Sequence, residues 1–305
     1  MPKLLDGKAV RDQILTELRP RVERIRESGG RPPGLAVVLV GADPASEIYV
    51  RNKVKTCQEL GIFSEKLTPP ATSSTEEILT IVAGLAARPE IDGILVQSPL
   101  PHPIDERRIL LSIPPGKDVD GFHPYNVGQL VANNPAPRAC TPAGVMELLR
   151  RNEINPSGKK AVVIGRSDIV GKPMAMLLLH AHATVTICHS RTSNLEAECC
   201  QADILVAAIG RPGFVRGNFV KPGAVVVDVG INRLATREAA ETVFAGNAEK
   251  LAEFDKKGSL IVGDAHPLEM EHAGAVTPVP GGVGPLTIAM LMANTVALAE
   301  QHLGL

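Results

Sequence analysis

Two side chains capable of acid–base chemistry lie one helical turn apart in the first quarter of the chain. The segment VGADPASEIYVRNKVKTCQELGI predicts a helix that begins in the Ser46-Glu47 region, and Tyr49 and Lys53 share one face of it. Burial disfavours the charged form of a lysine, so a lysine in a partly dry pocket can release and recover a proton. Taken alone, however, a tyrosine and a lysine at this spacing are more often a surface pair.

Two more polar residues are expected at carboxyl ends of parallel strands, where open α/β sheets bind their ligands. Gln97 closes the apolar segment IDGILVQ, and Asp120 lies in the phrase KDVDG after a proline-rich loop. Gln97 can hydrogen-bond Lys53 without adding charge, and Asp120 can accept hydrogen bonds from a ring N–H and an amino group. The alternative interpretation of Gln97 is a strand cap, and that of Asp120 is a turn residue.

A second motif, VVIGRSDIVGKPMAMLLL, predicts a buried strand, a glycine-containing turn and a helix. Backbone N–H groups at a helix N-terminus attract phosphate, and glycine allows the phosphate to approach the main chain. A Walker P-loop is excluded, because five residues separate Gly165 from Gly171 and Pro173 follows Lys172. The GxGxxG fingerprint is also absent, so a structural turn without a ligand stays an alternative to a dinucleotide site.

The strand after this motif ends in CHSRT, which bears on the choice of dinucleotide. NAD sites commonly end this strand with an acidic residue for the ribose hydroxyls, whereas Ser190 and Arg191 offer donors and positive charge that suit a 2′-phosphate. Arg166, beside the first turn, can bind the same phosphate. We therefore expect NADP, although solvated loop arginines are an alternative for either position.

Composition places the chain among ordinary globular proteins. It has 305 residues, 44% hydrophobic and 21% charged, with a net charge of -1. No excess of basic residues predicts nucleic-acid or anionic-lipid binding. The N-terminus lacks a continuous apolar run after its basic residue, and we expect no stretch to be long and apolar enough to cross a bilayer, which predicts a cytoplasmic protein. The five cysteines form no CxxC pair, so neither a disulfide framework nor a zinc site is predicted, and no metal is expected.

Hydrophobic periodicity predicts an α/β fold with two domains. A helix over 8–28, strands over 34–41 and 91–97 and the helices between them form βαβ units. After a loop-rich stretch, a second series of apolar strands predicts a Rossmann-like, doubly wound parallel sheet. These strands are expected at 161–165, 183–188, 203–210, 224–230 and 259–264.

The expected boundaries are 1–138 plus 286–305 for a substrate-binding catalytic domain and 139–285 for an NADP domain. A C-terminal helix over 285–302 has no strand after it and is expected to return to the first domain.

Eight phrases, taken in order, closely resemble the bifunctional methylenetetrahydrofolate dehydrogenase/cyclohydrolase family over nearly the whole chain. They are VGADPASEIYVRNK, DGILVQSPLP, PPGKDVDGFHPYNVG, CTPAGVMELL, VVIGRSDIVGKPM, HSRT, VVVDVGIN and TPVPGGVGPLT. The resemblance implies NADP-dependent oxidation of 5,10-methylenetetrahydrofolate to the methenyl form, followed by hydrolysis to 10-formyltetrahydrofolate. It also implies tetrahydrofolate derivatives as substrates and a homodimer formed through the NADP domains.

The resemblance also implies roles for individual residues. Lys53 would be the general acid/base, Gln97 would orient it, Tyr49 would stack on the folate and Asp120 would anchor the pterin. The NADP contacts would fall on Gly165, Arg166, Ser167, Ser190 and Ile231. Family phrases near the substrate also include Thr141 and the Pro280-Gly281-Gly282 turn.

The chain departs from the family pattern in places. Ser98 stands where leucine is usual, Gly263-Asp264-Ala265-His266 replaces a Gly-Asp-Val phrase, and the stretch 233–257 is longer than expected. Two other functions stay open from the sequence. One is a monofunctional NADP dehydrogenase of similar plan, which would leave Tyr49, Gln97 and Asp120 without a purpose. The other is a non-catalytic NADP- or folate-binding protein, which would not need a lysine paired with a glutamine.

Overall fold

A computed structural model describes residues 1–44 and 46–305, and its contacts divide the chain into two compact units. The first unit comprises Arg11–Cys140 and Ile288–Leu305. The second unit comprises Met1–Val10 and Thr141–Thr287. Each unit therefore draws on two separate parts of the sequence.

The helices and strands alternate along most of the chain. In chain order, the strands are β1 Lys3–Leu4, β2 Gly34–Val38, β3 Phe63–Leu67, β4 Gly93–Val96, β5 Lys160–Ile164, β6 Thr184–Cys188, β7 Ile204–Ala207, β8 Val225–Asp228, β9 Asn232–Leu234, β10 Leu260–Val262 and β11 Ala275–Val276. The α-helices are α1 Gly7–Gly29, α2 Pro44–Leu60, α3 Thr75–Ala86, α4 Glu106–Ser112, α5 Pro124–Val131, α6 Cys140–Arg151, α7 Gly171–His180, α8 Leu195–Cys199, α9 Arg237–Phe244, α10 Ala248–Lys257 and α11 Val283–Leu303. Short 3-10 helices span Pro115–Lys117 and Gly217–Phe219.

The main sheet of the second unit is parallel, with the strand order β1-β11-β8-β7-β5-β6. Alternate residues of its central strands enter two different cores. Val162 and Ile164 of β5 lie in one cluster, and Ala161 and Val163 lie in the other. Burial on both faces explains the uninterrupted apolar strands of the sequence. The predicted α/β fold with a doubly wound parallel sheet is confirmed.

The sheet of the first unit has the order β3-β2-β4, also parallel. The central strand β2 is buried throughout, whereas β3 has the sequence FSEKL and is partly exposed. We did not predict β3, because an edge strand covered on one side keeps polar residues and lacks the apolar pattern of its neighbours. As predicted, the C-terminal helix returns to this unit, which contains residues 288–303 of α11.

Two predicted placements differ from the structure. Residues 259–264 were expected to add a parallel strand, but β10 pairs antiparallel with β9 in a separate small sheet. The helical, charged stretch 233–257 precedes it and builds a core of its own around Phe244 and Phe254, which separates β10 from the main sheet. Residues 1–10, expected with the catalytic domain, belong to the second unit, where β1 pairs with β11.

The prediction that no stretch is long and apolar enough to cross a membrane is wrong by length and composition. α11 has 21 residues and meets both criteria. Of its most apolar window, 56% is buried inside the structure. A buried core helix meets the same criteria, because a helix that is apolar on all sides suits a protein interior as well as a bilayer.

The buried carboxylate of Asp92 joins separate segments of the first unit. It accepts hydrogen bonds from the Arg31 guanidinium at 2.6 and 2.8 Å and from the Gly34 N–H at 2.9 Å, and it lies 2.9 Å from His302 Nδ1. Burial alone would raise the pKa of Asp92, but the bonds from Arg31, His302 and Gly34 together hold it below its usual value. Asp92 thus connects the end of α11 to the beginning of β2.

We expect Asp92→Ala to lower the free energy of unfolding by about 3 kcal/mol, because it removes one partner of a buried charge pair. The melting temperature measured by calorimetry would fall by roughly 6–12 °C. Asp12→Ala is the matched control, because the Arg11–Asp12 ion pair is exposed and contributes little. Equal shifts for the two variants would contradict the role of Asp92.

Candidate functional site

Lys53 and Gln97 form a hydrogen-bonded pair inside the first unit. Lys53 is only 8% exposed, and its Nζ donates to Gln97 Oε1 at 2.9 Å. The Gln97 Nε2 donates to the Ser98 carbonyl oxygen at 2.7 Å. This second bond fixes the orientation of the amide, so that the oxygen faces the lysine. The structure therefore brings together two residues that the sequence analysis paired.

The order of the sheet explains why these residues meet. β2 and β4 are adjacent, and the Gln97 N–H donates to the Val38 carbonyl at 2.9 Å, so Gln97 extends β4 beside the end of β2. α2 follows β2 and carries Lys53. The helix begins earlier than predicted, at Pro44, because the Asp43 carboxylate accepts a hydrogen bond from the Ser46 N–H at 2.8 Å. This cap sets the start of the helix that carries the lysine.

Tyr49 lies one turn before Lys53 and is 42% exposed, so its ring is free to meet a ligand. The Ser98 hydroxyl donates to Glu106 Oε1 at 2.8 Å, while the Ser98 carbonyl holds Gln97. The departure from the usual leucine at position 98 therefore leaves the main-chain contact that aims Gln97 intact.

Asp120 lies in a loop that is organised by a neighbouring carboxylate. Asp118 is buried and accepts hydrogen bonds from the Gly121 N–H at 3.1 Å, the His123 N–H at 2.8 Å and Asn126 Nδ2 at 2.9 Å. Sequence reasoning named Asp120 but missed Asp118 and Asn126. The sequence signal that could have identified Asp118 is the alternating acidic pair within KDVDG. In the structure, Asp118 is the member of this pair that accepts hydrogen bonds from the loop's own N–H groups.

Burial raises the pKa of Asp120 to about 6, against the opposing effect of the positive charge of Lys53. The negative charge of Asp118 also contributes to the increase. The interaction with Lys53 indicates that the two groups are near each other in the same unit. A half-buried carboxylate near a buried ammonium group can accept hydrogen bonds from a ligand that enters beside the lysine.

The turn after β5 has a shape that only glycine permits. Gly165 has φ +125°, and a Cβ there would lie 2.1 Å from the Ala208 carbonyl oxygen. A Cβ on Gly171 would lie 2.3 Å from the Gly165 carbonyl oxygen. After β5 the chain forms β6, which is adjacent to β5 on one side, and then β7, which is adjacent to β5 on the other side. The turn after β5 therefore lies at the topological switch point of the sheet. A dinucleotide fits this position.

The first turn of α7 is partly closed by the chain itself. Ser167 Oγ accepts hydrogen bonds from the Val170 N–H at 3.2 Å and the Gly171 N–H at 3.3 Å, and Lys172 pairs with Asp168. The sequence analysis expected such N–H groups to face a phosphate. A phosphate bound at this turn would compete with Ser167 for them.

Arg166, Ser190 and Arg191 are exposed at the carboxyl ends of two adjacent strands. Ile164 of β5 is in register with Cys188 of β6, so Arg166 and Ser190 each lie two residues beyond a paired position. Two guanidinium groups and a hydroxyl at one sheet edge suit a phosphate ester. The structure therefore places these predicted residues at one edge.

The remaining predicted residues also belong to the second unit. Ile231 is 49% exposed, and a Cβ on Gly284 would lie 3.3 Å from its Cδ1. In the Pro280-Gly281-Gly282 turn, the Gly282 N–H donates to the Pro278 carbonyl at 2.8 Å. The hydroxyl groups of Thr141 and Thr287 are 2.9 Å apart.

The chain matches known proteins over nearly its full length. The sequence model described as "Tetrahydrofolate dehydrogenase/cyclohydrolase, catalytic domain" matches residues 5–120, and that of the "NAD(P)-binding domain" of the same family matches residues 139–303. A curated relative, the "Bifunctional protein FolD" of Solibacter usitatus, is 65% identical over 305 residues, which cover 100% of this chain and 99% of the relative.

Solved structures agree with these matches. The bifunctional FolD methylenetetrahydrofolate dehydrogenase/cyclohydrolase of Campylobacter jejuni has a TM-score of 0.89 and 43% identity, with 99% of each chain covered. The Trypanosoma brucei methylenetetrahydrofolate dehydrogenase-cyclohydrolase, solved with NADP cofactor and inhibitor, has a TM-score of 0.87 and 37% identity, with 98% of each chain covered. This chain belongs to the tetrahydrofolate dehydrogenase/cyclohydrolase family.

Proposed function

We propose that this protein is a bifunctional enzyme of one-carbon metabolism. It oxidises 5,10-methylenetetrahydrofolate with NADP⁺ and hydrolyses the 5,10-methenyl product to 10-formyltetrahydrofolate. Family membership and the 65% identity to a relative named as bifunctional support both activities. The observation that carries the hydrolytic half is the buried bond between Lys53 and Gln97, because a purely binding protein has no use for such a pair.

Lys53 manages the protons of the hydrolysis. Water adds to the methenyl carbon, the bond from that carbon to N5 breaks, and one proton is released overall. Lys53 can take a proton from the water and return one to the departing nitrogen, and positioned acid–base groups typically contribute about 10²- to 10⁴-fold to a rate. Gln97 accepts one hydrogen bond from Nζ and leaves the other directions of the amine open to the reacting atoms.

Substrate binding is proposed for Asp120 and Tyr49. The Asp120 carboxylate accepts hydrogen bonds from a pterin ring N–H and its amino group, a pattern that a carboxylate matches with both oxygens. The exposed Tyr49 ring stacks on the flat substrate from the same helix that carries Lys53. Together the two side chains orient the methenyl carbon toward Nζ, and correct orientation can contribute on the order of 7–11 kcal/mol.

The NADP site is proposed for the carboxyl ends of β5 and β6. Bound NADP⁺ supplies the hydride acceptor for the oxidation. The Gly165 turn gives the diphosphate access to the main chain, while Arg166, Ser190 and Arg191 bind the 2′-phosphate. Ile231 packs beside the nicotinamide. The glycine cradle, which a Cβ would fill, is the observation that supports a dinucleotide here.

We further propose that the first unit is the folate-binding catalytic domain and the second is the NADP domain. A homodimer through the NADP domains is supported by β6, an edge strand whose residues Thr184, Thr186 and Ile187 are exposed. An exposed edge offers unpaired main-chain groups to a second copy. A substrate contact of the Pro280-Gly281-Gly282 turn stays a prediction. Cytoplasmic localisation and the lack of nucleic-acid or membrane partners stay predictions.

We predict that Lys53→Met abolishes hydrolysis of methenyltetrahydrofolate while NADP binding is retained. Methionine keeps the buried stem but cannot carry a proton. The loss should reach about 10²-fold or more, measured from the decay of the methenyl absorbance. Lys55→Met is the matched control, because Lys55 lies on the same helix with its side chain 72% exposed.

Either of two results would overturn this assignment. Normal hydrolysis by Lys53→Met would remove Lys53 from the mechanism. An equal loss in Lys55→Met would show that the substitutions act on the helix as a whole and not on the proton transfer.

Folate affinity is predicted to weaken at low pH. Because the pKa of Asp120 is about 6, the carboxylate becomes protonated below that pH and loses an acceptor. The KM for methenyltetrahydrofolate should therefore rise about tenfold between pH 7 and pH 5, as measured from the initial rates of its hydrolysis.

Loss of stability would not explain such a rise. The folded pKa of Asp120 lies above its ordinary value of 3.8, so its protonation favours the folded state as the pH falls. In Asp120→Asn, KM should be high and should lack this dependence. A wild-type KM that stays flat from pH 7 to pH 5 would contradict the proposed contact.

A further inference from the structure

Asp264 is a fully buried carboxylate that is not among the proposed catalytic or NADP-binding residues, and it joins two loops of the second unit. Its Oδ2 accepts hydrogen bonds from the Ile209 N–H at 2.7 Å and the Gly210 N–H at 3.0 Å. Its Oδ1 accepts from the Arg211 N–H at 2.8 Å and from Asn232 Nδ2 at 2.9 Å. Successive N–H groups that converge on one carboxylate form a rigid anion nest.

The two loops are those that follow the central strands of the parallel sheet. Residues 209–211 follow β7, and Asn232 comes shortly after β8. The loop after β7 begins at Ala208, whose carbonyl group limits the Gly165 turn, and the loop after β8 carries Ile231 next to Asn232. Asp264 therefore holds the loops that border the proposed NADP site, at the switch point of the sheet.

A second buried carboxylate fixes Asp264 itself. Asp228, at the end of β8, accepts hydrogen bonds from the Asp264 N–H at 2.9 Å, the Ala265 N–H at 2.8 Å and the Gly230 N–H at 2.9 Å. The packing leaves no room for side chains nearby, because a Cβ on Gly230 would lie 2.4 Å from Asp264 Oδ1. Asp264 and Asp228, together with the N–H groups that donate to them, form a clamp that thus has one defined geometry.

We propose that Asp264 is a positioning residue for the NADP-dependent step. It is fully buried, so it acts through the loops and not by touching the cofactor. Its carboxylate holds residues 209–211, directly after the Ala208 that limits the Gly165 turn. Through Asn232 it also holds the neighbouring Ile231, which is proposed to contact the nicotinamide. A small displacement of such a loop can cost a large part of the rate of hydride transfer. This inference rests on the proposed function.

The test is Asp264→Asn. In this variant the new NH₂ group would face backbone N–H donors that donate to a carboxylate oxygen in the wild type. NADP⁺ binding by titration should weaken about tenfold or more, as expected for the loss of a hydrogen bond to a charged group. Hydrolysis of methenyltetrahydrofolate without nucleotide should stay within about twofold of wild type, because Lys53 lies in the other unit.

Asp203→Asn is the matched control. Asp203 precedes β7 at the opposite end of the same sheet and accepts hydrogen bonds from the Lys160 N–H at 2.9 Å and Lys221 Nζ at 2.6 Å. It should lower the melting temperature without changing NADP⁺ affinity. Asn232→Ala removes one bond of the clamp, keeps the carboxylate, and should weaken NADP⁺ binding about threefold. This milder variant keeps the test decisive if Asp264→Asn does not fold.

The outcomes separate the two proposals. If the wild-type protein neither binds NADP⁺ nor oxidises methylenetetrahydrofolate, the proposed function is wrong. If the wild type does both and Asn232→Ala and Asp264→Asn bind NADP⁺ as the wild type does, the positioning role is overturned. It is also overturned if Asp203→Asn weakens NADP⁺ binding as much as Asp264→Asn does.

Discussion

The proposed chemistry depends on a buried ammonium group that is held by a neutral partner. A charged lysine inside a protein is costly to bury without a hydrogen-bond acceptor, and Gln97 supplies one without supplying a counter-charge. A carboxylate at position 97 would stabilise the charged amine and oppose proton release. The Ser98 carbonyl locks the amide, so the lysine meets an oxygen and not a second donor. These two hydrogen bonds, from Lys53 to Gln97 and from Gln97 to Ser98, together give Nζ a fixed position.

Both units place their proposed site residues in the same way, because these residues follow the carboxyl ends of parallel strands. In the first unit, Gln97 follows β4. In the second unit, Gly165 follows β5, and the loops after β7 and β8 are fixed by Asp264. Buried carboxylates recur as organisers of main-chain loops, as Asp118 does around Asp120. A carboxylate that accepts several N–H groups stabilises an irregular loop that has no regular hydrogen bonds of its own.

The fold class could be predicted from apolar periodicity, which is a local signal. The Lys53–Gln97 pair could be predicted because Gln97 closes a predicted parallel strand at the end where such sheets bind ligands. β3 could not, since its polar residues reflect an exposed edge. The pairing of β1 with β11 joins residues more than 270 positions apart, and no local pattern encodes it. The clamp was missed for the same reason: Asp264 was noted within an unusual phrase, but its partners at 209–211 are main-chain N–H groups, which carry no sequence signal.

A double-mutant cycle on the hydrolysis of methenyltetrahydrofolate tests the central claim most directly. Lys53→Met, Gln97→Ala and the double variant would be compared by kcat, with wild type as the fourth corner. If Gln97 acts through Lys53, the double variant is no slower than Lys53→Met alone, because an amide has nothing left to orient. If the two losses multiply in the double variant, the glutamine acts independently, and the account of one jointly acting pair is contradicted.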